Sequence, residues 1–364
     1  MSESSFALSM FGLTVVLTVI PVIIFIAGII ALVVFLMKQS SHKNESTFNK
    51  QSTFQPKRYA DSAEPSVQPQ KAKKKHVNPA NVMQLEEELK KLCKNCVTLR
   101  ISGEARHDVG ATRFGGKPDV PAGFVWPYFE ADTFDDKKVK PRPLAFLAQF
   151  DLAEISAFDK DGILPRSGTL AFFYELGSQR CGFDPKDGGC AKVFWFHEWE
   201  DLSPAQFPED LPQAFRLPAL NITANAEKSY PTNEDFYLNR KDYSQTIDDF
   251  KAAEAQLNIQ RPDNRSKLLG WADVIQGNMT SECELIARGY TSDEVWNGGN
   301  FPKEELEKIE TAADKWTLLF QLDTVEHRGF SLMFGNYGRI YFYIRKDDLR
   351  AKRFDRIWLI LQCG

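Results

Sequence analysis

From Phe6 to Met37 the chain runs for 32 residues without a charged side chain. A span needs about 20 apolar residues to cross the hydrocarbon core, so this run crosses even when tilted. Pro21, near its middle, is tolerated in lipid-embedded helices. A cleaved secretory signal would want a basic start, an apolar stretch of about 7–15 residues and a small-x-small cleavage site. Here Met1-Ser-Glu-Ser-Ser5 precedes the run, and no Ala-x-Ala follows it. The pattern predicts a retained anchor over 1–37. Residues 38–77 reverse it, with Ser, Gln, Asn, Lys and Pro and almost no aliphatic side chains. Such a stretch cannot bury enough apolar surface to offset ordering entropy, which predicts a flexible stem.

A soluble domain is expected over 78–364. Its first helix opens with Asn78 as N-cap and Pro79 at N1, where the missing N–H leaves no bond unmade, and runs through Leu85-Glu-Glu-Glu-Leu-Lys-Lys-Leu92. From Ile101 the apolar runs shorten and are punctuated by Gly and Pro, as in strands and turns. Strands are predicted over 144–150, 169–176, 192–197, 317–322, 339–345 and 356–362. Two more helices are predicted, one over 244–257 behind a Ser244 cap and one over 302–315 with Glu304 and Lys308 paired at i,i+4.

One pattern occurs twice. Phe146-Leu-Ala-Gln-Phe-Asp151 precedes Gly168-Thr-Leu-Ala-Phe-Phe-Tyr174, and Leu318-Leu-Phe-Gln-Leu-Asp323 precedes Gly338-Arg-Ile-Tyr-Phe-Tyr343. The expectation is an α+β fold of mixed or antiparallel sheets with flanking helices, in two similar half-domains from an internal duplication; chance similarity of short strand texture is the competing account.

The formal net charge of -4 hides an asymmetry. Residues 38–75 hold nine Lys/Arg against three acids, whereas residues from 76 onward hold 36 basic and 45 acidic side chains. A domain that acidic repels phosphate backbones, so no nucleic-acid partner is expected. The basic flank follows the apolar run, so the positive-inside rule keeps the C-terminal domain cytoplasmic, on a single-pass inner-membrane protein. Cys93, Cys96, Cys181, Cys190, Cys283 and Cys363 would then be free thiols. Lys71, Lys73, Lys74 and Lys75 either contact anionic lipid headgroups or act as a solvated determinant of topology.

Cys93-Lys-Asn-Cys96 has redox or zinc spacing, but it ends a helix and lacks a second tight pair, so no metal or cofactor is expected. Gly110-Ala-Thr-Arg-Phe-Gly-Gly-Lys117 fails the phosphate-loop pattern, because Pro118 stands where a hydroxyl residue is required. Gly115-Gly116 is expected to supply a positive-φ turn. Arg113 beside Gly115, Gly116 and Trp126 is a candidate site for an anionic ligand. Gln149, Asp151, Gln321 and Asp323 would bring carboxylates together if the halves packed symmetrically; the alternative is that they bond turns at strand ends. Glu304, Glu305, Glu307 and Glu310 read as a solvated helix face.

Thr112-Arg-Phe-Gly-Gly-Lys-Pro118, Pro143-Leu-Ala-Phe-Leu-Ala-Gln-Phe-Asp-Leu152, Leu268-Leu-Gly-Trp-Ala-Asp-Val-Ile-Gln276 and Phe354-Asp-Arg-Ile-Trp-Leu-Ile-Leu-Gln-Cys363 resemble the YwqG family, a bacterial domain of unknown function, in order over roughly 100–364. The resemblance implies an α+β fold and no reaction, and familiar members lack the anchor and stem. Two functions follow as expectations. One is a membrane-tethered cytoplasmic module binding an unknown protein or small molecule. The other is an enzyme, such as a hydrolase of an anionic small molecule, using Arg113, Asp151 and Asp323.

Overall fold

Period-two runs between residues 94 and 362 assemble into one ten-stranded sheet, and all of its neighbouring pairs are antiparallel. The computed structural model describes residues 77–105, 108–197, 201–238, 244–296 and 301–364. The expected anchor and most of the stem lie outside them. Among the described residues no helix is long and apolar enough to cross a membrane.

In chain order the strands are β1 (Lys94–Glu104), β2 (Arg113–Phe114), β3 (Asp119–Pro121), β4 (Tyr128–Ala131), β5 (Lys140–Pro143), β6 (Ala145–Asp151), β7 (Thr169–Tyr174) and β8 (Ala191–Phe196). They continue with β9 (Leu202–Pro204), β10 (Leu220–Ser229), β11 (Ser266–Leu268), β12 (Trp316–Leu322), β13 (Val325–His327), β14 (Phe330–Leu332), β15 (Arg339–Arg345) and β16 (Ile357–Gln362). The large sheet is ordered β16-β15-β12-β11-β1-β10-β2-β6-β7-β8, and the other six strands form three small ribbons.

The long sheet curls, because one face of each arm is aromatic and needs cover. Phe150 on β6 meets Phe320 on β12 at 5.4 Å between ring centroids, and Phe172 on β7 meets Phe342 on β15 at 5.1 Å. Those strands are five and seven places apart in the sheet, so its concave surface closes on itself around one core. Edge strand β16 is covered rather than open: Leu361 N–H donates to the Cys181 carbonyl at 3.0 Å, and Trp358 Nε1 to the Gly182 carbonyl at 2.9 Å. Covering an edge removes a template for unwanted pairing.

Helix α1 (Pro79–Leu92) forms where expected, with the Asn78 side chain accepting from Ala80 N–H. It packs Val82, Leu85 and Leu89 against Phe250 and Ala253 of α2 (Ile247–Gln256). The cap of α2 is Thr246, not Ser244, because Thr246 and Asp249 close a reciprocal capping box. Helix α3 (Lys303–Ala312) likewise differs in detail from expectation. Lys308 bonds Glu305 at 3.1 Å rather than Glu304, because Glu305 is also drawn to Arg288 at 2.9 Å.

Both halves carry the same backbone irregularities. Gly115 and Gly116 have φ of +60° and +72°, and Leu269 and Gly270 have +60° and +76°. The β6–β7 register shifts between Phe146 and Ala148, and the β12–β15 register between Leu318 and Phe320. Only a residue without a Cβ fits at 115, since a side chain there would run into the Pro218 carbonyl.

Replacing Phe172, which is fully buried between the two arms, by Ala is expected to lower stability by about 3–5 kcal/mol. Chemical denaturation measures it, and a loss below about 1 kcal/mol would mean that the arms do not share a core.

Candidate functional site

Each half centres a polar cluster on one fully buried glutamine of the echoed pattern. In the first, Gln149 Nε2 donates to Asp119 Oδ2 at 2.8 Å and to the Ala111 carbonyl at 3.1 Å, while Gln149 Oε1 accepts Asp119 N–H at 3.0 Å. Arg113, opposite Gln149 in the register, reaches Asp119 at 2.7 Å and the Lys117 carbonyl. A buried carboxylate and a buried guanidinium therefore neutralise each other, with the remaining donors on backbone oxygens.

In the second, Gln321 Nε2 donates to Asp273 Oδ2 at 2.8 Å and to the Arg265 carbonyl at 2.6 Å, and its Oε1 accepts Asp273 N–H at 2.9 Å. Lys267, opposite Gln321, contacts Asp273 at 2.7 Å. The strand-end aspartates repeat as well: Asp151 N–H donates to Thr112 Oγ1 at 3.0 Å, and Asp323 N–H to Ser266 Oγ at 3.1 Å. The second cluster is larger. Arg265 grips Asp273 through Nε at 3.0 Å and through Nη2, and Arg339 grips Asp323. Tyr341 donates to the Asp273 carbonyl at 2.7 Å.

The electrostatics follow from this packing. Burial pushes the Asp273 carboxyl up, but Lys267 and Arg265 outweigh it and hold the group well below the usual carboxylate range. Burial pulls Lys267 down to about 8, against the attraction of Asp273.

The eight residues proposed from sequence thus separate. Arg113 and Gln149 share the first cluster, with Gly115 and Gly116 forming its turn. Gln321 and Asp323 belong to the second. No hydrogen bond or ion pair joins the two sets among the described residues. Asp151 caps the following turn of helix through Ala153 N–H at 2.9 Å. Trp126 packs on Phe173 at 5.6 Å and donates to the Leu144 carbonyl at 2.9 Å. Arg113 is engaged internally rather than presented to a ligand, because Asp119, six residues on, is its buried counter-ion at 2.7 Å. All six cysteines are free thiols, and among the described residues no three His, Cys, Asp or Glu side chains stand together as metal ligands.

Beside the second cluster opens a cleft of about 600 Å³. Register partners in a sheet share a face. Gln321, Lys267, Thr98 and Asn225 therefore form one rung across β12, β11, β1 and β10. Thr98 and Asn225 line the cleft, together with Arg100, Glu227, Asn264, Arg265 and Thr324. Sequence reasoning missed these residues. The repeated spacing of a cation six places before an Asp, in Arg113/Asp119 and in Lys267/Asp273, signals the two clusters but not the cleft.

These features define an antiparallel α+β domain with two Gln-centred charge clusters. A family model described as a domain of unknown function (DUF1963) matches residues 112–363, and the chain belongs to that family. A comparison with curated proteins found no match.

Asp273→Asn leaves Lys267 buried without its carboxylate and is expected to cost about 3–5 kcal/mol in denaturation. Lys267→Met tests the amine by pH. Between pH of about 8 and the ordinary 10.5, the unfolded chain holds a proton that the folded one has released. Native stability relative to the variant therefore rises with pH across that window. A flat difference curve would show that Lys267 titrates normally.

Proposed function

We propose that the chain is a YwqG-like binding module tethered at the cytoplasmic face of the inner membrane, arisen by duplication of one half-domain. One observation carries the binding reading. The charged groups that resemble catalytic machinery are neutralised inside the two clusters, whereas Arg100, Asn225 and Thr324, whose side chains have no partner among the described residues, line an open cleft. The duplication rests on the paired sets Arg113/Asp119/Gln149 and Lys267/Asp273/Gln321 with matching bulges and turns. Tethering rests on the uncharged run over 6–37 and on the basic flank behind it. A stem of about 40 residues has a root-mean-square reach of roughly 35 Å, so the domain samples partners close to the bilayer.

The test is proximity labelling in cells with the full chain and with a chain lacking residues 1–37. The full chain is expected to label a membrane-proximal set that the truncated chain loses. Identical sets from the two would remove the tether from the function.

A further inference from the structure

The floor of the cleft is the β1–β10 ribbon, and the register orders its charges. Cys96 pairs with Glu227, Thr98 with Asn225, and Arg100 with Thr223. Glu227 and Arg100 thus stand four residues apart along the ribbon, roughly 14 Å between their backbones at 3.4 Å per residue. Arg100 is exposed and makes no hydrogen bond or ion pair with the described residues. Glu227 accepts from Thr98 at 2.9 Å through one carboxylate oxygen, and its other oxygen has no partner among the described residues. Between them the Asn225 carboxamide is unpartnered as well. Thr324 on the cleft wall is 8% exposed, and its buried hydroxyl has no hydrogen-bond partner. An orphaned hydroxyl at such depth is uncommon unless something else satisfies it.

From this arrangement we propose that the cleft binds a small zwitterionic peptide of two or three residues. Its carboxylate meets Arg100, its ammonium meets Glu227, and its amides meet Asn225 and Thr324. The chemistry selects this class over others. The lining has no aromatic ring to stack a nucleobase or a sugar. An anion without an ammonium would leave Glu227 facing it, and like charge placed there is unfavourable. A free amino acid has no amide to meet Asn225 and Thr324, whereas a peptide of two or three residues does. The proposal rests on the binding-module reading above and names a ligand for it.

The experiment uses the full chain in lipid nanodiscs and triglycine as probe, with glycine, inorganic phosphate and N-acetyl-triglycine amide alongside, read by isothermal titration. Triglycine is expected to bind measurably at concentrations up to about 10 mM, weakening at high salt, while the capped peptide, which lacks both charges, does not bind. Arg100→Glu is expected to weaken triglycine at least about tenfold. Because Arg100 holds nothing in the fold, the variant should unfold at the same denaturant midpoint as the wild type. No triglycine binding, equal binding of the capped peptide, or undiminished binding by Arg100→Glu would each overturn the peptide assignment. If triglycine fails while anchor-dependent labelling persists, the module reading stands and this ligand class falls. Loss of both removes the module reading as well.

Discussion

A buried glutamine carboxamide in each half is the constraint from which the rest of the domain follows. Such an amide must find both a donor and an acceptor away from water, because an orphaned one costs more than the bond returns. Gln149 and Gln321 solve this by bonding the backbone N–H and the carboxylate of a single aspartate, Asp119 or Asp273. The segment carrying that aspartate is thereby tied to the sheet through its side chain and its own backbone N–H. A glutamate would lose the donor and a leucine would lose both. Once the carboxylate is placed at that depth it needs a cation, and the residue opposite the glutamine on the neighbouring strand supplies one.

The two halves supply different cations, and the difference has consequences. Arg113 presents a planar fork that reaches Asp119 and backbone carbonyls together, so the first cluster closes on its own. Lys267 is a point charge with three donors, and its contact with Asp273 is to Oδ2, as Arg113's is to Oδ2 of Asp119. In the second cluster the other oxygen, Oδ1, has a partner too. That partner is Arg265, whose Nη2 reaches Asp273 Oδ1 from the edge of the cleft. The second cluster therefore extends toward solvent where the first does not, and its rung of polar side chains continues through Thr98 to Asn225 on the cleft floor. An architectural device in one half borders a recess in the other.

Much of this order was readable from residues. Aromatic, β-branched runs such as Arg339–Arg345 identify central strands because both faces are buried, and the Asn78-Pro79 start identifies a helix because capping is local. The Gln-and-Asp echo was legible for the same reason, being a short pattern. Strands β1 and β10 escaped notice, although Val97, Leu99 and Ile101 alternate, as do Leu220, Ile222 and Ala224. Their outward faces carry Lys94, Thr98, Arg100, Thr223 and Asn225, so they lack the apolar density that marks the inner strands. Arg113 was singled out for its charge, but a charge does not announce its partner. The cleft could not be read at all, since it joins residues about 98–101, 225–227, 262–266 and 324–326 through register alone.

The chain path explains why the recess sits at the join. Strand β1 precedes the first half in sequence yet pairs with β11 of the second, and β10 precedes the second half yet pairs with β2 of the first. The halves exchange their leading strands, and those two strands pair with each other along ten residues of β10. The central ribbon thus joins the strands on either side of it into one sheet. The charged ends of the cleft divide the same way, with Arg100 coming from β1 and Glu227 from β10. A ligand spanning them would contact both exchanged strands at once, and binding only the joined state stabilises it by mass action. Recognition and the integrity of the sheet would then draw on the same pair of strands.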